Sequence, residues 1–160
     1  MPVQQLDRIE AYLDKLNRRK IEQNFDRIHL VIADEGNGKS TLMLQMIALY
    51  LKIRGEDATP ENILNSVVWG GRDEFKQKLL DSDQGQMIAV QDAAHTLHKK
   101  DAMEPEQKDL EKSLLDIRIE NYPILLGYQD WGDVADILQR RRAEVAFVIP
   151  RRGVVRGYNR

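Results

Sequence analysis

Leu6, Ile9, Leu13 and Leu16 recur at three- and four-residue intervals among Arg, Lys, Asp and Glu, so the pattern predicts an amphipathic helix over residues 3–23. The period changes at Arg27–Ala33 (R-I-H-L-V-I-A), a short apolar run rich in β-branched residues that ends in a turn-rich cluster, which predicts a buried strand. From Ser40 to Arg54 the apolar positions return to helical spacing, and Gly55 stops them. Thr59-Pro60-Glu61 supplies an N-cap, a proline at the first helical position and an acid in the first turn, the start of a short helix. Val67–Trp69 reads as a small strand, Asp73–Leu80 as a helix, and Met87–Val90 as a buried strand after the turn at Gln84-Gly85. The polar stretch 95–104 reads as a loop, and Glu104–Glu120 as a helix with Leu110, Leu114 and Ile117 on one stripe. Ile124–Tyr128 predicts another strand and Asp133–Leu138 a short helix. Val145–Ile149 and Val154–Tyr158, around Pro150-Arg151-Arg152-Gly153, predict a terminal hairpin. Strands alternating with helices predict an α/β fold with a mainly parallel sheet.

No internal repeat, low-complexity tract or linker interrupts this order, and 160 residues is the length of one ordinary domain. The expected organisation is an N-terminal helix, 1–24, packed on a core of residues 25–160. Apolar residues at 42% and charged residues at 31% allow a real core, which excludes disorder and collagen-like repetition for the chain as a whole. There is no Cys, so disulfide scaffolds, thiol catalysis and Cys-based zinc sites are excluded, and three scattered His make no metal site. No apolar run approaches the roughly 20 residues of a membrane span, and no signal-peptide pattern opens the chain. A reducing, cytoplasmic setting fits these features. The net charge of −2 hides an asymmetry: Arg140–Arg160 holds seven Arg and one acid, Glu144, for +6, leaving −8 on the other 139 residues.

The most informative stretch is Ala33-Asp34-Glu35-Gly36-Asn37-Gly38-Lys39-Ser40-Thr41, which matches G-x-x-x-x-G-K-[ST] except at the first position, where Ala33 stands. Gly36 and Gly38 let backbone N–H groups turn inward around an anionic phosphate. Lys39 would reach the β- and γ-phosphates, and the Ser40 hydroxyl would meet Mg²⁺. The helix that follows aims its positive N-terminus at the same place. A preceding strand and a following apolar helix are the context that separates this loop from a glycine-rich turn with a surface lysine. ATP and Mg²⁺ are the expected ligands, held by Glu35, Gly36, Asn37, Gly38, Lys39, Ser40 and Thr41.

Phosphate-loop enzymes place a Mg²⁺-side acid at the end of a neighbouring buried strand. Here Gln86-Met87-Ile88-Ala89-Val90-Gln91-Asp92 ends in Asp92, followed by Ala93-Ala94-His95 where many ATPases have D-E-A-H. Asp92 is the favoured magnesium-side acid, with Ala93 at the position of the usual base. Three explanations for Ala93 stay open. Hydrolysis is weak or was removed by design; the register slips by one, with Gln91 at the metal position and Asp92 as base; or Glu35 supplies the acid. Gln129, at the tip of the strand Ile124–Tyr128, is placed to sense the γ-phosphate or orient the water.

Together these motifs resemble the HerA–FtsK class of P-loop ATPases, which includes DNA translocases, viral genome-packaging ATPases and Zot-like phage proteins. The resemblance covers residues 27–158, and Tyr128–Ile149 (Y-Q-D-W-G-D-V-A-D-I-L-Q-R-R-R-A-E-V-A-F-V-I) is its most specific part. It implies a three-layer RecA-like core and a ring-shaped homo-oligomer, often a hexamer, with ATP at subunit interfaces. It further implies an arginine that completes the neighbour's site, for which Arg140, Arg141 and Arg142 are candidates and Arg141 and Arg142 the favoured ones. DNA is the implied partner, contacted through Arg151, Arg152, Arg156 and Arg160 with Lys99 and Lys100. The implied location is the cytoplasm, or the virion for a viral protein. Ala33, Ala93 and the bulky Tyr128 depart from the family pattern, so a hydrolysis-deficient, nucleotide-gated assembly module is the alternative. A small-molecule kinase is disfavoured by the absence of an Arg-bearing lid.

Overall fold

The computed structural model describes residues 3–23, 27–97, 121–136, 138–139 and 143–159, and the strands among them form one six-stranded sheet. In chain order these are β1 (Arg27–Ile32), β2 (Val67–Val68), β3 (Ile88–Val90), β4 (Pro123–Tyr128), β5 (Ala143–Arg151) and β6 (Val154–Asn159), arranged β2-β3-β4-β1-β5-β6. All neighbours are parallel except the terminal hairpin, where β6 returns antiparallel on β5. Each of the six strands read from the sequence is present. β4 therefore lies between β1 and β3, and the strand ending near Asp92 is one place removed from the strand that feeds the glycine loop.

Central strands buried on both faces need apolar residues at consecutive positions, and β4 is buried at all six. The two-residue alternation then sorts these side chains into two cores. Ile28, Leu30, Ile32, Ile88, Val90, Ile124, Leu126 and Tyr128 face one side, against Phe75 and Leu79 of α4 (Arg72–Asp81) and Ala93 of α5 (Ala93–Thr96). Val31, Ala89, Leu125, Val145 and Phe147 face the other, against α1 (Val3–Gln23) and α2 (Lys39–Ile53). Helices on both faces of the sheet make the three layers. The short helix α3 (Pro60–Leu64) begins at Thr59, whose hydroxyl accepts from Asn62 N at 3.2 Å, as the Thr-Pro-Glu signal predicts.

Ile9, Leu13 and Leu16 of α1 are buried in the second core. Three such side chains, each worth about 1.5–3 kcal/mol, hold the helix on its own sheet. Tyr12 of α1 adds a 2.6 Å hydrogen bond between its Oη and His29 Nε2 in the middle of β1. Arg27, at the entrance to β1, pairs with Glu144 at the start of β5.

Two local expectations differ from the structure. Residues 93–96 form the single turn α5 rather than loop. The helix expected over Asp133–Leu138 is preceded by a 3-10 turn at Trp131–Asp133, where Asp130 Oδ1 accepts from Gly132 N at 2.6 Å, and helical residues follow at 136 and 138–139. The helix expected over 104–120 lies outside the described residues.

Candidate functional site

In a parallel sheet with helices on both faces, ligands gather at the carboxyl ends of the strands. Three adjacent strands, β3, β4 and β1, end there in Gln91-Asp92, Gln129 and the loop Ala33–Gly38. The register Ile32↔Tyr128 sets Gln129 beside the start of that loop, and Ala33 N donates to Tyr128 O at 3.2 Å.

Ala33 extends the strand rather than opening the turn: it is buried and keeps this ladder-like bond, so no glycine is required there. The chain turns where Asn37 N donates to Asp34 O at 3.2 Å. Gly36 and Gly38 have φ of +78° and +96°, the left-handed region that a side chain disfavours. Gly38 is the N-cap of α2 and offers no side-chain cap, so the first amides of α2 keep their donors for another acceptor. Leu42 N donates back to Gly38 O at 3.0 Å, the first bond of the helix. Lys39 and Ser40 therefore stand on the first turn, with Ser40 and Thr41 exposed. An uncapped, 15-residue helix preceded by two glycines in this conformation is built to receive an anion.

Partial burial holds the Lys39 amine below its usual range, and the negative charge of Asp92 opposes that shift. The lysine of the loop and the acid at the end of β3 thus feel one another. Asp92 is the N-cap of α5 in sequence position, but its side chain makes no cap hydrogen bond, so helix capping does not account for it. Its nearest ion contact is His95 Nε2 at 3.6 Å, on an exposed imidazole. Ala93 is fully buried in the core on the α4 side. A carboxylate at that position would enter the core instead of facing the loop.

Gln129 is exposed at the tip of β4, and the turn behind it is held by Gln139 Nε2, which donates to Val134 O at 2.8 Å. Gly127 precedes it for a packing reason. A Cβ there would lie 2.6 Å from the carbonyl oxygen of Gln91 and 3.1 Å from Met43 Sδ on α2. Tyr128 is turned to the opposite face, where its hydroxyl donates to Leu97 O at 3.3 Å, which gives the bulky residue a structural place. Gly127→Ala is expected to lower stability by about 1–3 kcal/mol, because backbone atoms must move. A urea midpoint equal to that of the unsubstituted protein would refute the close packing of β3 on β4.

The oxygen donors at this edge, the Ser40 hydroxyl, the Asp92 carboxylate and the buried carboxamide of Gln91, which has no partner among the described residues, suit a hard cation such as Mg²⁺. Among the described residues there is no separate cluster of three His, Asp or Glu for a metal.

The hairpin tip lies at the same edge. β5 runs parallel to β1 with Ile32↔Val148, so Arg151 is three residues, about 10 Å, beyond the end of β1. Arg151 and Arg152 are exposed there, whereas Arg156 faces solvent on the outer strand β6. Lys99, Lys100, Arg140, Arg141, Arg142 and Arg160 lie outside the described residues. What sequence reading missed is that the hairpin arginines share an edge with the glycine loop. The signal was available in the parallel direction of β5.

The sequence matches no family profile and no curated protein. Solved structures do match. The genome packaging NTPase B204 of Sulfolobus turreted icosahedral virus 2, in complex with ATPγS, superposes with TM-score 0.56 at 17% identity over 77% of this chain and 74% of its own. C. elegans PCH-2 superposes with TM-score 0.59 at 14% identity, over 96% of this chain and 45% of its own. The E. coli MS115-1 HORMA:CdnC:Trip13 complex gives TM-score 0.58 at 12% identity, over 92% of this chain and 62% of the matched one. The chain has the RecA-like P-loop NTPase fold. In that arrangement β4 is interposed between β1, which feeds the glycine loop Ala33–Gly38, and β3, which leads into Asp92. No helix among the described residues is long and apolar enough to cross a membrane.

Proposed function

We propose that the chain binds ATP with Mg²⁺ at Glu35–Thr41 and hydrolyses it as a HerA–FtsK-type motor acting in DNA translocation or genome packaging. The observation that carries this reading is the convergence of an uncapped α2, Lys39 in the field of Asp92, and Gln129 beside the loop, on one edge of the sheet. Backbone amides of the P-loop and the start of α2 would wrap the phosphates, with Lys39 on their outer end. Ser40 and Asp92 would hold the metal, which when bound neutralises charge between the β- and γ-phosphates. Gln129 would orient the attacking water from the neighbouring strand end. The packaging NTPase that shares the fold is described with an ATP analogue, which supports the choice of ligand.

The working unit is a ring-shaped homo-oligomer of a single-domain chain, in which Arg141 or Arg142 reaches the neighbour's nucleotide. Arg151 and Arg152 at the hairpin tip, with Arg156, Lys99 and Lys100, would contact DNA phosphates. Arg156 on an edge strand also has a structural use, since charge there discourages edge-to-edge pairing. The alternative of a hydrolysis-deficient, nucleotide-gated module was motivated by Ala93. Burial of Ala93 in the core weakens that motive, because a carboxylate there would not face the loop.

Turnover of ATP with and without duplex DNA, together with DNA affinity across a salt series, tests the proposal. Turnover is expected to rise with DNA, and Arg151→Ala combined with Arg152→Ala is expected to lower the log–log salt slope by about 2. Turnover indifferent to DNA, with a salt-insensitive or absent complex, removes the DNA part and leaves an ATPase. No turnover under any condition favours the assembly module.

A further inference from the structure

Gln91 is only 7% exposed, yet neither its amide nitrogen nor its amide oxygen finds a partner among the described residues. An unpaired buried amide costs about 1–3 kcal/mol, which an apolar side chain of the same length would avoid. Its place on β3 indicates what the amide serves. Met87 and Ala89 pack in the core shared with α1 and α2, while Ile88 and Val90 pack in the opposite core. Gln91 N still donates to Val68 O at 3.1 Å, so the strand geometry runs through it. Alternation therefore sends side chain 91 to the α2 face, the face of the helix that opens with Lys39-Ser40. Asp92 takes the next position, where its charge reaches both Lys39 and Tyr128. Opposite Gln91, Gly127 brings β4 close enough that any Cβ would meet the Gln91 carbonyl.

We propose that Gln91 is a positioning residue for the metal–phosphate end of the nucleotide. Its carboxamide oxygen would accept a hydrogen bond from a water held by Mg²⁺ on the Ser40 side. A neutral amide thus stands beside Asp92 on the metal side of the site. This inference rests on the ATP–Mg²⁺ reading above and gives that site a register: Gln91 and Asp92 for the metal side, Ala93 for the core.

The test is ATP affinity by calorimetry in Mg²⁺ and in EDTA, for the unsubstituted protein, Gln91→Met, Gln91→Glu and Lys39→Ala. Gln91→Met is expected to weaken ATP binding about 10- to 100-fold in Mg²⁺ and to leave it unchanged in EDTA. Its unfolding temperature without nucleotide should equal or exceed that of the unsubstituted protein, since an orphaned amide has been removed. Gln91→Glu is expected to unfold at lower temperature in EDTA, to be restored by Mg²⁺ with ATP, and to show a larger Mg²⁺ dependence of ATP affinity. Equal affinity for Gln91→Met and the unsubstituted protein in both media overturns the proposal, as does an equal loss in both. Should Gln91→Met not fold, the Gln91→Glu protein decides alone: no restoration by Mg²⁺ with ATP overturns it. Unchanged affinity in Lys39→Ala is a different failure, because it removes the nucleotide site and not only the role of Gln91.

Discussion

Replacing Lys39 by alanine is expected to weaken ATP binding about 10- to 100-fold, while the urea midpoint moves by less than about 0.5 kcal/mol. The first number follows from the loss of charge-assisted hydrogen bonds, each worth about 1.5–3 kcal/mol. The second follows from position: Lys39 sits on the first turn of α2, half-buried, and contributes no apolar packing to either core. Removing the ammonium also leaves the Asp92 carboxylate without the nearby cation whose pKa it raises, so phosphates would then face uncompensated negative charge. Calorimetric titration with ATP and Mg²⁺ measures the effect, and urea unfolding shows that the fold is intact. Affinity indistinguishable from that of the unsubstituted protein would sink the nucleotide-site assignment.

Stability is expected to fall as pH drops below about 6.5, with His29 as the cause. Its imidazole is fully buried in β1, and burial lowers its pKa from 6.5 to about 4, with the positive charge of Arg27 adding to the shift and a backbone hydrogen bond at Ile124 opposing it. Tyr12 from α1 closes over the ring at a centroid distance of 5.6 Å, and Phe147 from β5 stacks on it at 6.3 Å. Tyr12, itself pushed up to about 12 by burial, stays neutral throughout this range and supplies no compensating charge. Arg27 and Arg19 are the charged groups in electrostatic reach of this cluster, and both disfavour a second cation. The unfolded chain takes up the proton near pH 6.5 and the folded chain only near pH 4, so between them the unfolded state binds more protons. The stability is therefore complete above pH 6.5 and is lost as pH falls toward 4. The loss is about 2 kcal/mol by pH 5 and roughly 3 kcal/mol below pH 4. Urea midpoints at pH 7 and 5 measure it, and His29→Leu should flatten the slope. An imidazole that titrates near 6.5 in the folded protein by NMR would refute the buried, neutral His29.

The part of the fold that could be read from residues was the part encoded over short distances. Alternating and continuous apolar runs marked all six strands, because a strand buried on both faces demands apolar residues at successive positions. The Thr59 cap and the two glycines of the loop after β1 were equally legible, since each answers a backbone requirement within four residues of itself. Ala33 read as a departure from the pattern, and it lies just past β1 with its amide still bonded to Tyr128 O, because left-handed backbone begins only at Gly36. The 3-10 turn at Trp131–Asp133, ahead of the helical residues at 136 and 138–139, went unread, because it rests on a side-chain cap from Asp130.

The sequence by itself determined that a strand, a glycine loop and an uncapped helix would follow one another and present Lys39 and Ser40 to an anion. Those features depend on φ, on hydrogen-bond donors and on apolar period, all of which are local. Only the tertiary structure decided what surrounds that loop. The order β3-β4-β1 brought Asp92 and Gln129 to it, and the parallel course of β5 carried Arg151 and Arg152 to the same edge. Packing also settled which face each residue after β3 would take, putting Ala93 into the core and leaving the Gln91 amide buried without a partner among the described residues. A one-residue shift in such a strand exchanges core for site, and nothing within D-A-A-H states the register. It is set by Ile88 and Val90 finding α4 and α5 while Met87 and Ala89 find α2, contacts made between segments far apart in the chain.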